Sequence, residues 1–180
     1  MSTATLMTVE QFAQMRTAET EDYELVEGEL IPLSSGTPLH AMVRGRMEHL
    51  IAIYFEGNPI GAAFAEVDCR LPNQTVRRPD LSIFLGARAK QFDPDQIPVP
   101  FPPDIAVEVL SRSESAIDVN RRALDYLAGG SREVWLLDNT NGEVFVQTDS
   151  AIRLLRGKDT LESPLLPGFS HAVADLLVNH

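Results

Sequence analysis

The sequence predicts a mixed α/β (α+β) fold, a β-sheet flanked by helices, and three observations predict it. Helical and strand-like periodicities interleave along the chain, the C-terminal third is dominated by strand patterns, and 180 residues are enough for one domain but not for two full catalytic ones. Residues 1–180 therefore read as a single domain, without internal repeat, low-complexity tract or linker.

Each element has its own warrant. Thr8 and Gln11 stand at capping-box spacing before Val9, Phe12 and Met15, so TVEQFAQM predicts a short helix. In YELVEGELIPL two apolar stretches flank Glu27-Gly28, and glycine supplies the positive φ that a tight hairpin requires. From Pro38 the segment LHAMVRGRMEHLIAIYF carries Leu39, Met42 or Val43, Met47, Leu50, Ile51 and Tyr54 as the stripe of an amphipathic helix, which should stop at Gly57-Asn58-Pro59. AAFAEVDCRL after Gly61 and Leu81 to Leu85 after Pro79-Asp80 read as strands. Residues 86–103 hold five prolines and read as an irregular loop. DIAVEVLS is a further strand, and ESAIDVNRRALDYLA a helix that should bury Ile117, Leu124 and Leu127 and end at Gly129-Gly130. REVWLLD and EVFVQT form a hairpin across Asn139 to Gly142, with Trp135 packed in the core. A strand near Ile152 to Leu155 and a terminal helix, HAVADLLV, complete the chain.

Composition narrows the function. Hydrophobic residues make up 44% and charged residues 23%, as in ordinary globular proteins, and no apolar run approaches the roughly 20 residues of a membrane span. The net charge of −11 excludes a basic coat for nucleic acid, so any such contact is local. Residues 1–60 carry 3 basic and 9 acidic groups, residues 61–130 carry 8 and 10, and residues 131–180 carry 4 and 7. The middle segment is nearly neutral, and its clusters Arg77-Arg78 and Arg121-Arg122 are where a polyanion is repelled least, although solvated surface charge is the plainer reading of them. The single cysteine, Cys69, rules out an intramolecular disulfide, and the N-terminus lacks the basic and apolar regions of a secretory signal, so the expected location is the cytoplasm.

The chemistry centres on two acids. By the two-residue period of a strand, Ile105, Val107 and Val109 face one way and Ala106, Glu108 and Leu110 the other, and both faces are apolar. An ionised Glu108 left alone there costs several kcal/mol, so it must be protonated, paired, hydrogen-bonded or bound to a metal. Asp80 follows Pro79 at the start of LSIFL, where it can meet Glu108 on a neighbouring strand. Two converging carboxylates repel unless a divalent cation lies between them, and magnesium accepts such a site while keeping most of its waters. On the next helix Asp118 and Arg122 stand at i,i+4, the spacing of a surface ion pair. His40, His49, His171 and His180 show no HExxH-type spacing. Neither GxxxxGK nor GxSxG occurs, which removes phosphate-loop and serine-elbow enzymes.

These residues resemble the PD-(D/E)XK nuclease pattern, and within it the restriction-endonuclease-like family called Uma-two. The matching pieces are YELVEGEL (23–30), His40, RPDLSIF (78–84), PDIAVEVLSRS (103–113), Asp118 with Tyr126, REVWLLD (132–138) and LPGFS (166–170), in family order over nearly the whole chain. The resemblance implies a restriction-endonuclease-like mixed sheet with helices on both faces and endonuclease action on DNA that depends on Mg²⁺ (or Mn²⁺). Asp80 and Glu108 would ligate the metal, with the Val109 carbonyl as a further ligand and Glu24 as an accessory acid. The family lysine would fall at position 110, here Leu110, or on the following helix, here Arg122. An arginine can grip a phosphate but stays protonated and cannot act as a general base. The alternative is a catalytically impaired descendant that binds nucleic acid or protein. Cutting both strands of a duplex would suit a homodimer, and the proline-rich 86–103 segment is the most exposed candidate for reaching base edges.

Overall fold

The computed structural model of the protein describes residues 6–15, 23–33 and 36–178; His180 and the first five residues of the segment read for a leader lie outside the described residues. In chain order the elements are α1 (Val9–Met15), β1 (Tyr23–Val26), β2 (Glu29–Pro32), α2 (Pro38–Gly57), β3 (Gly61–Ala65), β4 (Cys69–Leu71), β5 (Thr75–Arg77), β6 (Leu81–Leu85), α3 (Gly86–Gln91), β7 (Ile105–Val109), α4 (Ala116–Gly129), β8 (Glu133–Asp138), β9 (Glu143–Gln147), β10 (Ile152–Arg156), β11 (Thr160–Glu162), β12 (Ser170–Ala172) and α5 (Val173–Leu176).

Three of the predicted boundaries rest on interactions now visible. The capping box at the start of α1 is reciprocal, with Gln11 N donating to Thr8 Oγ1 at 3.1 Å and Thr8 N to Gln11 Oε1 at 2.8 Å. Glu27 and Gly28 turn the β1–β2 hairpin with φ of 51° and 86°, both in the left-handed region such a two-residue reversal demands. Gly130, at φ 105°, ends α4 at the predicted stop, while its start, capped by Ser115, comes two residues later than the expected residue 114.

The principal sheet has six strands in the order β10-β9-β8-β7-β6-β3, with β7 and β8 parallel and the other neighbours antiparallel. Its central strand β7 is buried along its whole length and its side chains divide between two cores. Val43, Met47 and Ile51 of α2 pack on one face against Ile105, Val107 and Val109, together with Leu81, Ile83, Trp135 and Leu137. Ala123 and Tyr126 of α4 pack on the other against Ala106, Val134 and Leu136. Even-numbered residues of β7 therefore look at α4, which is what brings Glu108 to that helix. A second sheet, β2-β1-β5-β4, carries α1 through Val9, Phe12, Leu25 and Val76.

The structure corrects four expectations and decides one open alternative. On α4, Ile117 is 79% and Leu124 50% exposed, while Ala123 and Tyr126 are buried and Leu127 only partly so. Counting apolar residues misplaced this face, because its main anchor is a tyrosine that enters the core by giving its hydroxyl to Glu108. On α2 the buried member of the Met42/Val43 alternative is Val43, with Met42 exposed. The segment read as loop 86–103 begins with the short helix α3, since Ala-Arg-Ala-Lys-Gln are good helix formers and the first proline comes only at 94. Its later part is anchored, with Val99 buried among Cys69, Phe84 and Phe101. Strand β5 was missed because three residues carry no periodicity, and the predicted terminal helix is shortened because His171 and Ala172 pair with β11.

Among the described residues no helix is long and apolar enough to cross a membrane. Cys69 is fully buried, and burial pushes its thiol up to about 12. The thiolate is the reactive form, so in native protein Cys69 should stay unmodified by a thiol-specific aromatic disulfide at pH 8 and react stoichiometrically once urea unfolds the chain. Rapid labelling under native conditions would show that the β4 region opens readily.

Candidate active site

The register of β6 and β7 pairs Leu81 with Val107, so the next step of the antiparallel ladder sets Asp80, just before β6, across from Glu108. Residues directly opposite on antiparallel strands share a face, and this pair sits where β6 begins and β7 ends. Asp80 is held there by two donors to Oδ2, the backbone N–H of Val109 at 2.7 Å and His40 Nε2 at 3.1 Å. His40 stands in the first turn of α2, whose N-cap Thr37 accepts its backbone N–H. The hydrogen bond that His40 donates to Asp80 holds the imidazole above its usual pKa, against the opposing effect of burial.

Glu108 is 3% exposed. Tyr126 Oη donates to its Oε1 at 2.6 Å and Arg122 Nη1 to its Oε2 at 2.9 Å. Burial pushes Glu108 up to about 7; Arg122 and the Tyr126 hydroxyl pull it down, while Asp80 and Glu24 push it further up. Burial likewise raises Tyr126 well above its usual value, so it enters the site as a neutral donor. Arg122 Nη2 pairs with Glu114, whose other oxygen accepts from Ser111 N at 2.8 Å. Burial opposes ionisation of Glu114, yet the Ser111 N–H and Arg122 bring its pKa below the ordinary value.

The expected Asp118–Arg122 pairing gives way to a different division of partners. Asp118 takes the hydroxyl of the helix cap Ser115 at 2.6 Å, and the longer reach of Arg122 carries it inward to Glu108 and Glu114. Glu24 is buried, and both of its oxygens are committed: Oε2 accepts from Arg77 Nη1 and Oε1 from Arg78 N, each at 2.7 Å. It thus grips the backbone two residues before Asp80. Arg77 also reaches Asp125 of α4, at 2.6 and 3.0 Å, and Arg78 Nε reaches Asp68 at 2.7 Å. The Arg77-Arg78 cluster, expected as solvated surface charge where a polyanion is repelled least, is instead paired with internal acids.

Asp80, Glu108, Val109, Glu24, Arg122 and His40 all line one cleft of about 1730 Å³. Its walls include residues 110–115, part of β2 and Asn139-Thr140, and exposed Arg112 and Arg121. No residue of 86–103 lines it, so the candidate base-reading loop lies away from the cleft, its anchoring phenylalanines turned into the core. Sequence reasoning brought together the two acids and the arginine but passed over Glu114 and set Tyr126 aside as packing. The sign for Tyr126 was there: a buried acid on the even face of β7 needs a donor from the helix that covers that face.

A mixed sheet with an acid at the start of one central strand, a second acid on the next and a cation on the following helix defines the restriction-endonuclease-like class. The chain belongs to the Uma2 family, described as "Putative restriction endonuclease", whose model matches residues 9–175. Among solved structures it is similar to a crystal structure titled as that of a "putative nuclease belonging to DUF820" from Anabaena variabilis, with a TM-score of 0.82 at 22% identity over 94% of this chain and 97% of that one. No curated protein matches the sequence.

The Glu24–Arg77–Asp125 bridge ties β1, β5 and α4 together, and its Arg77 and Glu24 side chains are only 7% and 6% exposed. Arg77→Ala strands a buried carboxylate and should lower unfolding free energy by about 3 to 5 kcal/mol in urea titration. A loss below about 1 kcal/mol would show the bridge to be as weak as a surface pair.

Proposed function

We propose that this protein is a divalent-metal-dependent endonuclease that hydrolyses phosphodiester bonds of DNA in this cleft. The observation that supports the reading is that Asp80, just before β6, and Glu108, on β7, line one cleft that Arg122 also lines. The donor set fits Mg²⁺ or Mn²⁺. Among the described residues no group of three or more His, Cys, Asp or Glu could hold a metal, so a fully protein-ligated ion does not fit. Magnesium needs only one or two carboxylates and keeps several waters, which suits Asp80 and Glu108 with the Val109 carbonyl beside them. When bound, such an ion polarises the scissile phosphate and makes a bound water more acidic.

The chain's own residues supply the positioning. His40 and the Val109 N–H orient Asp80, and Tyr126 orients Glu108. Glu24 acts as an accessory acid by fixing the Arg78 backbone N–H rather than by touching substrate. Arg122 grips a phosphate oxygen and offsets charge in the transition state; it takes no proton. Arg112 and Arg121 on the cleft wall contact flanking phosphates without reading sequence. Two such clefts in a two-fold dimer would address both strands of a duplex.

The bond between Arg122 and Glu108 favours a second reading, a retained fold that binds nucleic acid or protein without cutting. Incubation of single-stranded and duplex DNA with Mg²⁺ or Mn²⁺ separates the two. The nuclease reading predicts cleavage that a chelator abolishes and that Asp80→Asn and Glu108→Gln each reduce by about 100-fold or more, with circular dichroism unchanged. Protein that binds neither ion and leaves both DNAs intact contradicts it, and a silent wild type awakened by Arg122→Lys selects the second reading.

A further inference from the structure

In the protein alone, the cation that satisfies Glu108 is Arg122. Its Nη1 lies 2.9 Å from Oε2, the Tyr126 hydroxyl occupies Oε1, and the second arm of the guanidinium pairs with Glu114. A guanidinium and a divalent cation drawn to one buried carboxylate repel each other, and the low dielectric of the site strengthens that repulsion. Arg122 must therefore release Oε2 before Glu108 can serve a metal fully. It has a place to go. Its side chain is 21% exposed and lines the cleft, and Glu114, fixed by Ser111, keeps it tethered to the wall beside exposed Arg121. The anion able to draw it off is a backbone phosphate, which a guanidinium holds with two parallel N–H groups.

We propose that Arg122 gates the site. It stays on Glu108 while the cleft is empty, weakening divalent-cation binding, and moves to a phosphate when nucleic acid enters, so that cation and nucleic acid bind cooperatively. This rests on the metal reading above. Linkage makes the coupling reciprocal: whatever factor nucleic acid adds to cation affinity, the cation adds to nucleic-acid affinity.

The test is calorimetric titration of Mg²⁺ into wild type, Arg122→Gln and Arg122→Met, each with and without a hydrolysis-resistant phosphorothioate oligodeoxynucleotide whose own Mg²⁺ uptake is subtracted. It is run at pH 8.5, which favours the ionised form of Glu108. Arg122→Gln keeps a hydrogen-bond donor for Glu108, and thermal unfolding of each variant verifies its fold. Without oligonucleotide, both variants should bind Mg²⁺ about 10-fold more tightly than wild type, and the oligonucleotide should tighten Mg²⁺ about 10-fold in wild type but less than about 3-fold in the variants. Variants that bind Mg²⁺ no more tightly than wild type, or an oligonucleotide effect equal in all three, overturn the gate. If wild type binds Mg²⁺, loses it in Asp80→Asn and is indifferent to Arg122, only the gate falls. If none of the proteins binds Mg²⁺ under either condition, the metal reading falls with it.

Discussion

A carboxylate buried in the middle of a sheet is the constraint around which this protein is arranged. Glu108 lies on a strand covered on both faces, and an isolated ionised group there is too costly to keep. Helix α4 answers it with a phenolic hydroxyl and a guanidinium on the same face. This explains why that helix anchors itself through Tyr126 and Ala123, leaving Ile117 and Leu124 in solvent. The site and the packing of α4 are thus one arrangement.

The second acid reaches the same place by a different route. Asp80 depends on strand register and on a set of hydrogen bonds that begins outside the principal sheet: Glu24 of β1 holds the Arg78 N–H, proline follows, and His40 of α2 and Val109 of β7 fix the carboxylate. The smaller sheet consequently has a positional role. Arg77, which joins Glu24 to Asp125 on α4, ties that sheet to the helix carrying Arg122.

Much of this was legible in the sequence, and the exceptions have physical causes. A strand with one acid among branched aliphatics exposed its own problem, and the Pro-Asp opening of the neighbouring strand supplied the partner. Turns and caps were readable because Thr8 with Gln11, Glu27-Gly28 and Gly130 act within a few residues. The illegible parts depend on distant contacts. Nothing local distinguishes Arg77 and Arg78, bound to internal acids, from Arg121, which is exposed, and an i,i+4 spacing does not reveal that Arg122 bypasses Asp118 for Glu108 and Glu114. Strands β5, β11 and β12 are three residues each, too short for an alternating pattern, and exist because neighbouring strands offer them hydrogen bonds.

On the proposed reading, Asp80 and Glu108 together hold one divalent cation. The most direct measurement is anomalous scattering from crystals of the protein grown with Mn²⁺ and an uncleavable oligonucleotide. A single Mn²⁺ peak contacting both carboxylates, with the Arg122 guanidinium withdrawn from Glu108, is the predicted result. Peaks only at surface acids, with Arg122 still bonded to Glu108, would contradict it.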